Sequence, residues 1–321
     1  MRSIVRGPMP AVPVTVDTRQ LDRNIKRFHQ QVAEAGCMTR AHLKAHRTTE
    51  LAARQVAAGA VGVSVHSAQA ARDLAAVGVT DVVVAWPWRE PWRWPLYVGA
   101  AHELEHFAVH VDDAETITGL GRAAAAAGVQ IGVRIDLRHT PAADVLTLAR
   151  LTESTAGVRL DGVTGYHGPE TAEDIKDFSL LGRRHAEELV ATAESIRADG
   201  IECPVVSAGG TPTALGALSV NGITEIVAGA YATLDAGLAA AGVCDLAEVA
   251  ISVAGDRADL LADCAQPWDP DSVSVPRDGR LLPGHVCPLA VNLMRGKVEI
   301  TVIDGGATVD RWLPQGRPDR E

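Results

Sequence analysis

Short runs of β-branched residues alternate with longer alanine-rich stretches through most of this 321-residue chain. Nearly continuous apolar runs are typical of parallel strands buried on both faces, and the stretches between them are long enough for crossover helices. Eight strands connected by helices predict an α/β fold, a TIM-like (β/α)8 barrel. We expect the strands over 38–44, 61–66, 81–86, 106–111, 130–136, 162–166, 203–207 and 224–228. Helices are expected over 18–35, 50–58, 68–76, 113–127, 143–155 and 171–198.

The pattern changes after about residue 240, where strand-like pieces such as KVEITVIDGG are separated by D-G, R-G and G-G turns. Little amphipathic helix is expected there, so we predict a small β domain over 241–321. The strand-like AVPVTVD (11–17) precedes the barrel, and we expect residues 1–17 to join that domain. The barrel would then occupy residues 18–240.

Composition excludes several classes of partner. The net charge is −10, from 40 acidic and 30 basic residues, so neither nucleic acid nor a membrane surface is expected to be a partner. The N-terminus MRSIVRGPMPAVPV lacks the apolar core of a signal peptide, and no stretch reads as a membrane span. The five scattered cysteines favour reduced thiols in a cytoplasmic protein over a disulfide framework.

The segment RAHLKAHR (40–47) concentrates basic side chains at the end of the first expected barrel strand. Alternation along a strand would put four of them on one face: Arg40, His42, Lys44 and His46. Active sites of such barrels lie at the C-terminal ends of the strands, where Lys44 falls. Neighbouring cations disfavour the charged form of a lysine, which favours Lys44 as a nucleophile and base.

Glycine-containing turns follow the last two expected strands, as VSAGGTPT and AGAY. Loops at these two positions commonly bind phosphate in (β/α)8 barrels, where glycines let the backbone approach closely. Either turn alone is equally well explained as an ordinary strand end. Together they predict a phosphate site built from Ser207, Gly209, Gly210, Thr211, Gly229 and Tyr231, the last offering its hydroxyl.

These segments resemble the D-threonine aldolase and D-serine dehydratase family of pyridoxal-phosphate enzymes, whose barrel is of the alanine racemase type. The family's opening motif, close to R-P-H-x-K-T-H-K, stands here as RAHLKAHR, and VSAGGTPT, GAY and HVCPLAVNL follow in the family's order. The resemblance covers roughly residues 9 to 313 and implies that Lys44 holds pyridoxal 5'-phosphate and then removes the α-proton of the substrate. It also implies Arg138 near the pyridine ring and Tyr166 at the cofactor. His42 either lies near that ring or is a hydrogen-bonded histidine of the barrel mouth.

His285 and Cys287, within HVCPLAVNL, are the candidate metal ligands. Residues i and i+2 of a strand share a face, so an imidazole and a thiolate could reach one ion there. Alone, H-x-C is more often core packing, but the following Pro288 and VNL, as in the family, favour a divalent metal. Two ligands leave room for water and substrate, as a catalytic ion requires. A cysteine ligand favours zinc, with manganese as the alternative. The aldolases of the family are more similar to H-x-D at this position, so the resemblance implies dehydration over aldol cleavage.

The resemblance implies a lyase that acts on a small D-3-hydroxy amino acid, as a D-serine or D-threonine dehydratase does. Retro-aldol cleavage of the D-threonine aldolase type remains open, and so do a racemase-like or specialised biosynthetic enzyme and a non-catalytic cofactor carrier. A homodimer is expected, because such barrels commonly complete their sites with a neighbouring β domain.

Four of the six tryptophans lie in AWPWREPWRWP (85–95), at the mouth end of the third expected strand. The family commonly has a small, aliphatic sequence at this position. These side chains either pack a loop or form an aromatic wall that reshapes the substrate pocket.

Overall fold

The computed structural model describes residues 12–166, 168–169, 171–316 and 319. Ala11, at the start of the first predicted strand, lies outside them. The described residues form two compact units, one of 12–23 with 232–314 and one of 24–231 with 315–316 and 319. The chain passes from the second unit to the first between Tyr231 and Ala232.

Eight parallel strands close into a barrel in sequential order, which confirms the predicted (β/α)8 fold. The first barrel strand pairs with the last, so the sheet has no free edge. The strands are β2 (Met38–His42), β3 (Gly62–Val65), β4 (Asp81–Val84), β5 (His106–Val111), β6 (Ile131–Asp136), β7 (Val158–Gly165), β8 (Val205–Gly209) and β9 (Glu225–Ala228).

Helices lie between the strands along the chain, close to the predicted positions. One difference is α4, which was not predicted. The other is that the helix expected over 171–198 is divided at Asp177. The side chain of Asp177 accepts the N–H of Leu180 and so starts a new helix. No helix in the described part of the chain is long and apolar enough to cross a membrane. The helices are α1 (Thr18–Glu34), α2 (Thr49–Ala57), α3 (Ala68–Ala75), α4 (Trp94–Glu103), α5 (Ala114–Ala127), α6 (Ala142–Ser154), α7 (Ala172–Lys176), α8 (Phe178–Ala198) and α9 (Ala214–Leu218).

The barrel interior contains a closed ring of six ionisable side chains, in which three cations alternate with three anions. Each contacts the next at N–O distances between 2.5 and 2.9 Å. Buried charges are tolerated only when they are paired and hydrogen-bonded, and this ring pairs all six. In order they are Arg40, Asp81, His106, Asp161, Arg134 and Glu225.

Gly62 makes room for this ring. A Cβ atom at Gly62 would lie 2.5 Å from Nη1 of Arg40 and 2.4 Å from the carbonyl oxygen of Asp81. Both distances are far below van der Waals contact, so any side chain here would displace the Arg40 guanidinium or the β4 backbone. The barrel therefore encloses an arginine where a neighbouring strand supplies a glycine.

The unit of residues 12–23 and 232–314 is built on a six-stranded sheet. Its strands are β1 (Val14–Asp17), β10 (Ile251–Ala254), β11 (Ser274–Arg277), β12 (Arg280–Pro283), β13 (Ile300–Asp304) and β14 (Ala307–Trp312), in the order β11-β12-β10-β1-β13-β14. The N-terminal strand β1 runs antiparallel to β10 and parallel to β13, and so pairs with the C-terminal region as predicted.

Two helices accompany this sheet, α10 (Ala236–Ala240) and α11 (Val286–Gly296). The expectation of little amphipathic helix after residue 240, with His285 and Cys287 on a strand, was wrong for α11. Its buried residues are Val286, Leu289, Ala290 and Leu293, which are spaced three and four apart as on one face of a helix. Short apolar runs of this length do not distinguish strand from helix unless that spacing is weighed.

Candidate active site

Lys44 lies at the C-terminal end of the barrel, in a 3-10 turn over Leu43–Ala45 that directly follows β2. The side chain is half-buried, and Nζ lies 5.3 Å from the centroid of the Tyr166 ring, which follows β7. Lys44 follows β2 and Tyr166 follows β7, so the fold brings together at the barrel mouth two predicted site residues that are far apart in the chain.

The first barrel strand was predicted to extend through Lys44, but β2 ends at His42. Nδ1 of His42 accepts the backbone N–H of Lys44 at 3.3 Å and so caps the turn. In the neutral ring the hydrogen must then be on Nε2. His42 therefore fixes the conformation of the segment that carries Lys44.

Two of the cations expected around Lys44 do not contribute positive charge there. Arg40 is inside the barrel, paired with Glu225 and Asp81. His46 turns away from the mouth and contacts Thr48 and Gln55, and burial lowers its pKa to about 4.

The two histidines that do lie near Lys44 are neutral. Burial, with the charge of Lys44, lowers the pKa of His42 well below its ordinary value. Burial, together with the charges of Lys44 and Arg47, lowers the pKa of His66, just after β3, to about 4. The two rings pack edge to face with centroids 5.0 Å apart. The expectation that neighbouring cations act on Lys44 was therefore wrong for Arg40, His42 and His46.

The glycine turn after β8 lies against Tyr166. A Cβ at Gly209 would lie 3.0 Å from Cβ of Tyr166, and one at Gly210 would lie 3.0 Å from its Cε2. The hydroxyl of Thr213 donates to the carbonyl of Gly209 at 2.8 Å and accepts the N–H of Gly210 at 3.0 Å. Thr211, which lies between Gly210 and Thr213 in the chain, is half-buried. The two glycines thus allow the turn to approach the ring, and Thr213 holds it.

Gly229, after β9, approaches the lysine turn in the same way. A Cβ there would lie 2.8 Å from the carbonyl oxygen of His42 and 3.0 Å from Cβ of Ala45. The predicted glycines of the phosphate site therefore border the elements that carry Tyr166 and Lys44.

Two hydroxyls predicted at that site are used elsewhere. Oγ of Ser207 donates to Glu225 at 2.7 Å and is buried with the charged ring inside the barrel. The hydroxyl of Tyr231 lies 2.8 Å from Nε2 of His29 in α1 and is also buried. Because Nδ1 of His29 must donate to the carbonyl of Ala58, Nε2 accepts from the tyrosine. The prediction that the Tyr231 hydroxyl faces a phosphate was wrong, and any such contact from Ser207 or Tyr231 would come from the backbone.

A histidine–carboxylate pair at the ends of β5 and β6 was not predicted. Nδ1 of His110 lies 3.2 Å from Oδ2 of Asp136, while Oδ1 accepts the backbone N–H of Arg138 at 3.0 Å. Burial acts to raise the pKa of Asp136, but His110 outweighs it and the pKa is lowered. The Arg138 side chain is exposed. The sequence did contain a sign of this: His106 and His110 are four residues apart, so they lie on the same face of β5, and both could have been predicted to face the barrel interior.

The tryptophan segment 85–95 follows β4 at the same end of the barrel. The indole Nε1–H of Trp88 donates to the carbonyl of His66 at 2.8 Å. Trp86 lies edge-on to His139, with ring centroids 5.4 Å apart, and its side chain is 41% exposed. The segment is thus tied to the residues around Lys44.

His285 and Cys287 lie in the sheet unit, not on a strand. His285 is the extended N-cap residue of α11 and Cys287 is in its first turn, so the argument that both share one strand face was wrong. Both side chains are partly exposed. Among the described residues, no three His, Cys, Asp or Glu side chains are grouped as ligands of one ion.

Two curated proteins similar to this chain are, by name, a dehydratase and an aldolase. A D-threo-3-hydroxyaspartate dehydratase of Delftia sp. (strain HT23) is 34% identical over 249 residues, 74% of this chain and 65% of that protein. A D-threonine aldolase of Arthrobacter sp. is 28% identical over 256 residues, 73% of this chain and 67% of that protein. This chain therefore spans slightly less than two thirds of the dehydratase's length. The solved structure of the Delftia dehydratase has a TM-score of 0.78 and 25% identity, covering 96% of this chain and 98% of that one.

Most of the chain, including the whole barrel, matches one family model. Residues 16–247 match the model for the N-terminal domain of alanine racemase, a range that includes all eight barrel strands. The chain belongs to the alanine racemase N-terminal domain family.

Proposed function

We propose that this protein is a pyridoxal-phosphate-dependent lyase that removes water from a D-3-hydroxy amino acid. The observation that carries the proposal is the position of the Lys44 amine, which lies over the Tyr166 ring at the barrel mouth while Tyr166 packs against the Gly209–Gly210 turn. The names of the relatives, a D-threo-3-hydroxyaspartate dehydratase and a D-threonine aldolase, support the substrate class.

The residues at the mouth fit pyridoxal phosphate. The cofactor needs a lysine amine, a flat partner for its ring and closely approaching backbone for its phosphate. Lys44 and Tyr166 supply the first two, and the cradle of Gly209, Gly210 and Gly229, which any Cβ would crowd, supplies the third. We propose that Lys44 holds the cofactor covalently, that Tyr166 and Arg138 contact its ring, and that the turn through Thr211 binds its phosphate.

The reaction then uses groups of this chain at defined atoms. Pyridoxal phosphate, when bound, withdraws electrons from the α-carbon of an attached amino acid. The Lys44 amine accepts the α-proton, the β-hydroxyl leaves with a proton as water, and hydrolysis of the remaining product yields a keto acid and ammonia. His42 holds the backbone of Lys44 in place during this transfer, and its low pKa keeps it neutral at physiological pH.

We propose further that His285 and Cys287 bind a divalent ion that assists loss of the β-hydroxyl. An imidazole and a thiolate suit zinc, with manganese as the weaker candidate, and leave coordination positions for water or substrate. Elemental analysis of the purified protein should find a bound ion that is lost from His285→Ala and Cys287→Ser, but retained in a Cys244→Ser control.

Removal of the ion should separate two processes. With a D-3-hydroxy amino acid in deuterated water, chelation should abolish chemistry at the β-carbon while exchange of the α-proton, which depends on Lys44, continues in part. If turnover is unaffected by chelation, or if the fold is lost with the ion, the catalytic role is wrong.

The reaction class is decided by products. The cofactor-loaded protein should convert D-serine, D-threonine or D-threo-3-hydroxyaspartate to a keto acid and ammonia. Glycine with an aldehyde would identify the aldolase reaction, which similarity to the Arthrobacter aldolase favours as the second candidate. Formation of the L-enantiomer alone would identify a racemase and overturn the proposal.

The homodimer and the cytoplasmic location remain predictions, which light scattering and cell fractionation would test.

A further inference from the structure

Three of the four tryptophans in segment 85–95 have packing roles. The guanidinium of Arg93 lies between two of them, with Cζ 4.0 Å from the ring centroid of Trp88 and 4.2 Å from that of Trp92. Trp94 is buried, 7% exposed, with its centroid 6.0 Å from that of Tyr97. These contacts account for three large apolar side chains as loop and helix packing.

Trp86 is different. It follows β4 at the mouth end of the barrel, and 41% of its surface is exposed. Two rings hold it in place, Trp88 at a centroid distance of 6.1 Å and His139 at 5.4 Å. An indole that is held between two aromatic partners yet exposed on the remaining side is a preformed surface for an apolar group.

Connected contacts link Trp86 to Lys44. The charge of Lys44 acts on His66, whose carbonyl accepts the indole N–H of Trp88, and Trp88 contacts Trp86. In the closed strand order β2 to β9, β4 lies opposite β8, which carries the Gly209–Gly210 turn. Trp86 therefore borders the mouth on the side away from the proposed phosphate site.

We infer that Trp86, with His139, is the specificity-determining wall of this site, and that the substrate carries an apolar, preferably aromatic, group on its β-carbon. This inference rests on the proposed lyase function for its substrate. A ring placed against the indole face is stabilised by burial and by aromatic contact. A carboxylate against the same face would lose hydration without gaining a hydrogen bond, because the face of an indole carries partial negative charge and has no donor.

Binding of unreactive amino acids tests the inference separately from catalysis. Dissociation constants of D-phenylalanine, D-aspartate and D-alanine for the cofactor-loaded protein are measured by titration, since none has a 3-hydroxyl group to eliminate. We expect D-phenylalanine to bind at least about tenfold more tightly than D-aspartate. Trp86→Ala should weaken D-phenylalanine by about tenfold and D-alanine by less than about threefold, while Trp86→Phe keeps most of the preference.

Trp92→Ala is the matched control, since it removes a tryptophan of the same segment that stacks on Arg93. It should leave all three dissociation constants unchanged. Tighter binding of D-aspartate than of D-phenylalanine by the unmodified protein would overturn the inference whether or not the variants fold, and would point to the exposed Arg138 as the side-chain contact. An equal loss for D-phenylalanine and D-alanine in Trp86→Ala would also overturn it.

Kinetics distinguish this inference from the proposed function. If D-phenylalanine binds preferentially but neither 3-phenylserine nor D-serine is turned over, the lyase function is wrong and the aromatic wall stands. If D-serine and D-threo-3-hydroxyaspartate are dehydrated efficiently and 3-phenylserine is not, the lyase function stands and the wall is overturned.

Discussion

Lys44 shares the barrel mouth with imidazoles that are neutral at physiological pH. Burial and the lysine charge lower the pKa of both His42 and His66, so neither repels a proton held on the lysine amine. The one arginine of the preceding strand, Arg40, has its charge balanced inside the barrel. His42 and His66 therefore stay uncharged beside the group that we propose accepts the α-proton.

Replacement of Lys44 tests its role at this scale. Lys44→Ala should lose the visible absorbance band of the bound cofactor and all turnover, because no covalent link can form. Lys176→Ala, which removes an exposed lysine of α7 paired with Glu173, should keep both. A borohydride-stable cofactor adduct on another lysine of the Lys44→Ala protein would contradict the assignment.

The turn from β8 to α9 is the element that we propose binds the phosphate of the cofactor. Its backbone is closed by one side chain, Thr213, and its contact with Tyr166 requires two residues without side chains. Helix α9 has only five residues, so the turn, and not a long helix dipole, must supply the contacts to a phosphate.

A branched side chain in this turn should weaken cofactor binding. Gly210→Val would force the Tyr166 ring to move, because the added Cβ alone lies 3.0 Å from it, and we expect the dissociation constant of pyridoxal phosphate to rise about tenfold or more. Gly99→Val, in α4, is the control, since a Cβ there meets no atom within 4 Å. Equal cofactor affinity of the two variants would place the phosphate elsewhere.

Element order was predictable from the sequence, and side-chain direction was not. The eight barrel strands could be predicted because nearly continuous apolar runs alternate regularly with stretches long enough for helices. The end of β2 was missed by two residues, since only the bond from Lys44 to His42 reveals the turn. Ser207 and Tyr231 were assigned to the mouth by their position after a strand, yet Glu225 and His29 hold their hydroxyls elsewhere. Such partners are distant in sequence, and alternation alone does not identify them.

At the scale of the whole molecule, the charged ring makes the stability of the barrel depend on pH. His106 contacts a carboxylate through each ring nitrogen, so both nitrogens must donate and the ring is protonated. Hydrogen bonds to Asp161 and Asp81 raise its pKa to about 9 from an ordinary value of 6.5. The stabilisation is therefore complete below pH 6.5 and is lost as the pH rises through about 9.

The free energy of unfolding should show this loss. From pH 6.5 to pH 9 the unmodified protein should lose about 2 to 3 kcal/mol more than His106→Gln, whose side chain does not titrate. Denaturant unfolding at several pH values measures the difference. Parallel pH curves for the two proteins would show that His106 is not protonated in the folded state.

The central position of β1 in its sheet sets an order for folding during synthesis. β1 precedes every barrel strand in the chain, but its two partner strands are residues 251–254 and 300–304. Every barrel strand is translated in between, so the barrel can close while β1 still lacks both neighbours. Protease digestion of nascent chains stalled after residue 240 should cut near β1 and spare the barrel strands. β1 is thus translated before the barrel strands and paired after them, and its sheet is completed only when residues 300–304 have been made.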